Sequence, residues 1–423
     1  MQTNQTSRRT FIQQGVKTGA AISSLALLSP ARILGANEKI RVGMIGCGGR
    51  SRWHVGWLQR SSSEVPVEVI ACCDIWKQKR ENYAPEITKR FGVEPVLYED
   101  YRKLLENPDI DAVVIATPDH QHCPMLTDAV QAGKDAYVEK PIATNLKELT
   151  KAYDAVMKSG RVVQNGTQGR SSAGAVAAMQ FIQAGKLGKV LRIEESRSFY
   201  LPYWNNYELP KSENDTRWDD FLYNRKPRPF DADQEGAWMG YSDFGSGTIG
   251  GWMSHFSDFN HYATGCDFPR YGVAHGVVFS PTSKTGRTAP DTVTAVLEYP
   301  EGFTTLYMTH FGNGANDYTM FFGTKGVMRI NEPDGNRDGI SPRVSGDGSE
   351  HPTRLPDEVK ALEEIPQDDH MVNWLKCIRS RALPNANMHM GFKQGIAVLL
   401  CEYSCQQGRK MRFDKDKRRI VTA

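Results

Sequence analysis

Short apolar runs alternate with longer amphipathic stretches from Lys39 to about Gln164. The runs are Val42–Ile45, Val67–Cys73, Ala112–Ala116, Ala136–Val138 and Val162–Val163. Between them the spacing predicts helices over Trp76–Phe91, His122–Ala132 and Leu146–Ser159. Strands that read as continuous apolar runs, separated by helices, belong to a parallel sheet covered on both faces. That is an α/β, doubly wound Rossmann fold.

Past about Ser172 the pattern changes. One more helix is predicted over Ala175–Ala184, closed by Gly185-Lys-Leu-Gly188. Strand-like segments follow with no helix between them: Val190–Phe199, Val273–Phe279, Thr292–Tyr299, Phe303–Phe311 and Met320–Ile330. Several alternate apolar and polar residues, which predicts a mostly antiparallel open sheet in an α+β domain. Leu201–Gly251 reads as a long loop rich in Trp, Tyr, Pro and Gly, and such loops usually carry function. Asn331–Pro356 reads as an exposed loop, and helices are expected over Asp368–Ser380 and Met390–Gln407. The resulting division is a leader at 1–36, a dinucleotide-binding domain at 37–165, a substrate and oligomerisation domain at 166–385, and a segment at 386–423 that packs back on the first domain.

Composition adds little to this picture, whereas the N-terminus changes it. At 423 residues, 39% hydrophobic and 24% charged, the chain is long enough for two ordinary domain cores. Of its 52 basic residues, Arg8, Arg9, Lys17 and Arg32 fall in a leader without acids; the other 48 face 49 acidic residues. That balance gives no reason to expect nucleic acid as a partner. Ser7-Arg8-Arg9-Thr10-Phe11-Ile12, an apolar run to Leu28 and Ser29-Pro30-Ala31 form a twin-arginine export signal. The run is shorter than the ~20 residues of a membrane span, and no other segment is apolar enough to be one. The expected location is the periplasm or cell envelope. Free nicotinamide nucleotide is scarce there, so an exported dinucleotide enzyme would carry its cofactor and regenerate it within each cycle. The eight cysteines form no metal-ligand pattern, and no metal site is expected.

Three motifs carry chemistry. Gly46-Cys-Gly48-Gly49-Arg50-Ser51 follows a strand and opens a helix, as a pyrophosphate site requires. The next strand ends in Asp74, a carboxylate suited to ribose hydroxyls and repelling a 2′-phosphate, so NAD is favoured over NADP; Arg50 keeps NADP as the second choice. Thr117-Pro118, with His120 and His122 behind it, ends the fourth strand, and Glu139-Lys140-Pro141 ends the fifth.

In this order, Gly46-x-Gly48, Asp74, Thr117-Pro118-x-x-x-His122 and Glu139-Lys140-Pro141 resemble the family of glucose–fructose oxidoreductase, inositol dehydrogenase and the rhizopine-catabolism proteins (Gfo/Idh/MocA). Gln164-Asn165-Gly-Thr-Gln168-Gly-Arg170 and Gly185-Lys-Leu-Gly-Lys look like its next two segments. The resemblance covers about Lys39 to Arg412. It implies a Rossmann domain holding the cofactor through these motifs and Asn165, and a second domain whose open sheet mediates a homo-oligomer. It places Lys140 beside the nicotinamide, where an amine of lowered pKa takes the hydroxyl proton as hydride leaves the carbinol carbon. The family's second segment, Asp-x-x-x-His-x-x-Asp, aligns with Gly251-Trp-Met-Ser-His255-Phe-Ser-Asp258. His255 then contacts the reacting hydroxyl, with Arg170, Tyr203, Trp252 and Asp258 toward substrate. The first aspartate is replaced by Gly251, for which His261 and Asp243 are the possible substitutes. Tyr200, Tyr203, Trp204, Trp218, Trp238, Tyr241 and Trp252 would suit stacking on sugar faces.

The resulting expectation is an exported NAD(P)-dependent oxidoreductase acting on a sugar or polyol hydroxyl. Two alternatives stand beside it. One is an NAD-dependent glycoside hydrolase working by transient oxidation and elimination, although such relatives often lack the Glu-Lys-Pro kept here. The other is a non-enzymatic sugar- or nucleotide-binding protein.

Overall fold

A computed structural model describes residues 38–314, 317–331 and 340–423. The twin-arginine segment lies outside the described residues. Six strands form the first sheet: β1 (Ile40–Ile45), β2 (Val67–Cys73), β3 (Val96–Tyr98), β4 (Ala112–Ile115), β5 (Asp135–Val138) and β6 (Val163–Asn165). All pair in parallel, in the order β3-β2-β1-β4-β5-β6. This is the doubly wound topology, whose chain reversal between β1 and β4 opens a crevice at the strands' carboxyl ends. Helices run over Gly49–Ser61, Lys77–Phe91, His122–Gln131 and Leu146–Ser159, the last three within one residue of the ends read from the spacing. The strand β3 escaped that reading, because Val96 and Leu97 are exposed at the sheet edge and no apolar run marks them.

The second sheet has ten strands: β7 (Val190–Phe199), β8 (Tyr271–Val277), β9 (Thr292–Tyr299), β10 (Phe303–Phe311), β11 (Tyr318–Gly323), β12 (Gly326–Asn331), β13 (Ser341–Ser345), β14 (Lys360–Ala361), β15 (Met411–Asp414) and β16 (Arg419–Thr422). Their order is β14-β13-β12-β11-β7-β10-β9-β8-β15-β16, antiparallel except for β7 beside β10. Burial alternates along β9 and β10, as the sequence pattern requires of a sheet covered on one face. Helices Ala173–Gln183, Ser254–Thr264 and Met388–Gln407 pack together over that face.

Several segments differ from their sequence reading. Met320–Ile330 is a hairpin, turning at Thr324-Lys325 between two glycines. Asn331–Pro356 contains β13, whose Pro342 and Val344 are buried and which pairs with β12; its flanking Gly and Asp residues mask so short a strand. Leu201–Gly251 is a string of short helical turns, with a small core of Trp218, Phe221, Leu222 and Phe244.

The C-terminal part serves both sheets. Helix His370–Ser380 covers the Rossmann sheet, with Met371, Trp374 and Leu375 packed into the cluster of Ile40, Val42 and Tyr137. Helix Met388–Gln407 is buried along most of its length, touching β6 and helix Leu146–Ser159 on one side and β8 on the other. A helix buried all round loses the amphipathic stripe of a surface helix. Beyond it, β15 and β16 extend the second sheet from β8.

Candidate active site

Strand register builds the site. Ile45 lies beside Cys73 and Ile115, Ile115 beside Val138, and Val138 beside Asn165. The next row is therefore Gly46, Asp74, Ala116, Glu139 and Gly166, all at the carboxyl edge. A cavity of about 700 Å³ opens over this row and is closed by the second domain. That volume is typical of a small-molecule site.

Gly46, Gly48, Gly49, Arg50, Asp74, Thr117, Pro118, His122, Glu139, Lys140, Arg170, Tyr203, Trp252, His255 and Asp258 all line this cavity. Asn165 does not. Its side chain is buried against Gly391 of the C-terminal helix, because the last residue of β6 turns toward that helix.

The glycine turn has a steric cause. Gly46 adopts φ +92°, and a Cβ there would lie 2.5 Å from the Ala116 carbonyl oxygen. Nothing lies within 4 Å of where a Cβ on Gly48 or Gly49 would be, so their backbone faces open cavity. No acidic residue occupies the first turn of helix Gly49–Ser61, leaving its positive end unopposed. An open glycine backbone at a helix N-terminus fits a pyrophosphate. Asp74 accepts hydrogen bonds from the Cys47 and Trp76 amides, each at 2.8 Å. Each carboxylate oxygen keeps a further lone pair for a ribose hydroxyl. Glu235, from the Leu201–Gly251 region, lines the same end of the cavity and feels the Asp74 charge; burial raises its pKa to about 7. Arg50 turns away from this end: its Nε donates to Glu139 at 2.8 Å and its guanidinium lies over Trp57. The residues present therefore fit NAD, and the second carboxyl strengthens the case against a 2′-phosphate.

Glu139 is almost fully buried. Burial by itself would raise its pKa, but the Arg50 guanidinium, a hydrogen bond from His54 and the Lys140 charge hold it well below the usual carboxylate range. His54 Nε2 lies 2.9 Å from its Oε1, and the Lys140 amide and Gln168 also donate to it. His122 is not a polar cofactor contact. Its ring nitrogens face the Pro141 and Thr117 carbonyls at 2.7 and 2.9 Å, joining the β4 end to the Glu-Lys-Pro turn.

Lys140 Nζ donates to the Gly251 carbonyl at 2.7 Å. A Cβ on Gly251 would fall 2.6 Å from the Tyr203 hydroxyl. Thus Tyr203 occupies the space that an aspartate at this position would need, and a backbone carbonyl takes over as acceptor for the lysine. Neither sequence-proposed substitute is near: His261 is buried against the Tyr299 hydroxyl, and Asp243 pairs with Arg228 at the surface. His255 faces the same cavity. Burial, then the Lys140 and Arg50 charges, push its pKa well down, so it is a neutral imidazole. Arg170 and Asp258 bind each other through two contacts of 2.8 and 3.0 Å, both side chains being buried.

The aromatic residues divide. Tyr203, Trp238 and Trp252 line the cavity, with Trp252 packed on Phe199 and Phe311. Trp204 and Trp218 are core, Tyr200 is exposed, and Tyr241 donates to Asp233. Sequence reasoning missed Asp119, His54, Glu195, Arg197 and Glu235. Glu195 and Arg197 had a signal: they share one face of β7 with buried Ile193, where an apolar side chain is the rule. Asp119 had none beyond its place next to Thr117-Pro118. No group of His, Cys, Asp and Glu able to hold a metal occurs among the described residues.

Comparison with known proteins agrees with this geometry. An alpha-N-acetylgalactosaminidase of Shewanella oneidensis is 30% identical over 185 residues, 42% of this chain and 38% of that protein. A levoglucosan dehydrogenase of Pseudarthrobacter phenanthrenivorans is 29% identical over 169 residues, 40% and 42% respectively. The aligned stretches thus span less than half the length of these curated relatives. Among solved structures, a levoglucosan dehydrogenase in complex with NADH and levoglucosan superposes with a TM-score of 0.66 at 20% identity, covering 89% of this chain and 99% of that one. The aldose-aldose oxidoreductase of Caulobacter crescentus gives the same score and identity, over 89% and 100%. At such identity these structures establish the two-domain fold. The family model described as the Gfo/Idh/MocA oxidoreductase family, NAD-binding Rossmann fold, matches residues 40–167, the stretch that carries the first sheet and the glycine turn.

Proposed function

We propose that the protein is an NAD-dependent carbohydrate oxidoreductase that moves hydride between a sugar or polyol carbinol carbon and a retained cofactor. The observation that carries this reading is the meeting of Lys140 and neutral His255 in one cavity with the glycine turn and Asp74. Bound NAD would supply the hydride acceptor. Gly48, Gly49 and the helix behind them would hold its pyrophosphate, and Asp74 its ribose. Lys140, steadied by the Gly251 carbonyl, takes the hydroxyl proton, and His255 hydrogen-bonds the reacting oxygen. Tyr203, Trp238 and Trp252 offer flat apolar surfaces to a sugar ring and exclude water. The mated Arg170–Asp258 pair fixes a polar end of the pocket. The relatives add support, one being a levoglucosan dehydrogenase.

Export by the twin-arginine route to the periplasm belongs to the same proposal. It rests on Arg8-Arg9 and the apolar run behind them, and it requires that the cofactor travel with the folded chain. A homo-oligomer through the open face of the ten-stranded sheet also belongs to it.

A second reading is glycoside cleavage through transient oxidation. It is favoured by the alpha-N-acetylgalactosaminidase relative and by the absence of a carboxylate at Gly251. Product analysis separates the two. The mature protein, with the nucleotide it carries, is incubated with free sugars and glycosides, and products are followed by mass spectrometry. A two-mass-unit loss, or paired oxidised and reduced sugars, is expected. Released aglycone with an unoxidised sugar would instead establish the glycosidase.

A further inference from the structure

The segment Leu201–Gly251 lies across the carboxyl edge of the Rossmann sheet and is fastened to the ends of four strands. After β2, Ile75 packs on the cluster of Trp218, Phe221, Leu222 and Phe244. After β3, Glu99 accepts a hydrogen bond from Arg217 at 3.0 Å. After β4, His120 Nε2 and Gln121 Nε2 face the Phe221 carbonyl at 2.7 and 3.0 Å, and the His120 amide donates to the Phe244 carbonyl at 3.1 Å. After β5, Thr144 accepts from Arg225 at 3.1 Å. This is the edge on which the Gly46 turn and Asp74 face the cavity.

Glu235 is carried by that segment, on the short helix Ala232–Gly236. The turn is held from both sides. Asp231 accepts from the Asp233 and Gln234 amides at 2.9 and 3.1 Å. Arg287, from the loop before β9, donates to the Ala237 carbonyl at 2.8 Å and to Asp233 at 3.0 Å. Glu235 is 6% exposed and lines the cavity together with Asp74, Trp76 and Lys79. Thr216 donates to its Oε1 at 2.5 Å, whereas Oε2 has no hydrogen-bond partner. The buried Trp76 indole N–H is unpartnered as well. One end of the cavity thus keeps an unused acceptor and an unused donor, each costly to bury alone. A hydroxyl group both gives and takes a hydrogen bond, so a ligand bearing hydroxyls suits both.

We propose that Glu235 is a cofactor ligand, accepting a hydrogen bond from a hydroxyl of the adenosine ribose, and that it makes Leu201–Gly251 a clasp that retains NAD and turns NADP away. The inference rests on the retained cofactor of the proposed function and is independent of the substrate. Asp74 belongs to the first domain and Glu235 to the segment laid over it, so release of the nucleotide must break contacts on two separate walls. A 2′-phosphate would meet two carboxyls instead of one. Burial and then the Asp74 charge raise the pKa of Glu235, against the Thr216 hydrogen bond and the Lys79 charge, and Lys79 itself stands over the Trp76 ring at 4.2 Å.

The test needs no turnover. Holoprotein loaded with isotope-labelled NAD is diluted into excess unlabelled NAD and its release followed, and stripped protein is titrated with NAD and with NADP. Glu235→Gln can keep the Thr216 contact through its carbonyl oxygen, so the local fold is preserved. It should release NAD about tenfold faster and bind it about tenfold more weakly, while NADP binding changes less. Glu235→Asp keeps the charge and shortens the reach; it should release NAD faster and stay biased against NADP. Release at the wild-type rate in both variants overturns the clasp. So does an equal loss of NAD and NADP affinity in Glu235→Gln, which is what loosening of the segment alone would give. If the wild type binds no NAD at all, the cofactor reading fails and the clasp with it.

Discussion

The ends of β4 and β5 each present a buried carboxyl to Lys140, and the two are held in opposite states. Glu139, after β5, is ionised; Asp119, after β4, holds its proton to about pH 8. Burial is nearly the same for both. What differs is the company. Glu139 has Arg50, Gln168 and the Lys140 amide as donors and His54 Nε2 at 2.9 Å, whereas one oxygen of Asp119 has no donor. A protein sets the charge of a buried acid by the donors it supplies, so neighbouring strand ends can house a fixed anion and a neutral acid side by side.

The strongest way to test this contrast is to remove the cation that both acids face. Lys140→Met should lower turnover by about 10²-fold or more while folding and nucleotide content persist. Near-normal turnover would reject the role of Lys140. In the same variant Asp119 should titrate higher still, read by the infrared carboxyl band, while Glu139 stays ionised.

Removing the fixed anion comes next. Glu139→Gln leaves His54 and Arg50 facing a neutral amide, and should cost about 3 kcal/mol, the lower end for a broken buried pair because Arg50 reaches solvent. The sign with pH follows from the depressed folded pKa. The contribution of Glu139 is present above its unfolded value near 4.3 and is lost as pH falls through the lower folded value. Thermal melts should therefore converge for wild type and variant in acid; a gap that persists there would break the argument.

Crowding the lysine's backbone acceptor should do less. Gly251→Ala pushes a methyl group into the Tyr203 hydroxyl and should cost roughly 2 kcal/mol. Adding Tyr203→Phe should recover part of that loss in stability. Failure of the double variant to recover anything would show that the clash lies elsewhere. The smallest effect concerns the half-buried acid after β2. Asp74→Ser should weaken NAD binding about tenfold and narrow its preference over NADP, measured by nucleotide titration of stripped protein.

The Rossmann half was legible because its signals are local. A run of buried aliphatics marks each of β1, β2, β4 and β5, and one backbone requirement fixes Gly46. The acceptor of Lys140 was not legible. It is a main-chain carbonyl, carried by a residue 111 positions away, and any sequence presents a carbonyl everywhere. Asp119 was hidden for a related reason, since its state depends on burial and on Lys140 and Ser246, which only the tertiary fold brings near. Asn165 shows the converse error. Its motif suited a cofactor contact, but the helix Met388–Gln407 claims the space around it.

The placing of the two C-terminal helices, His370–Ser380 and Met388–Gln407, has a consequence for the order in which the protein can become active. The six strands of the Rossmann sheet are all synthesised by residue 165, yet the helix that covers one of its faces begins at His370, and the edge of β8 stays open until Met411. Synthesis from the N-terminus thus yields a nucleotide-binding sheet well before it yields an enclosed pocket. Every residue that walls the cavity is made by Ile340, so the last segment completes the support of the sheet behind the pocket.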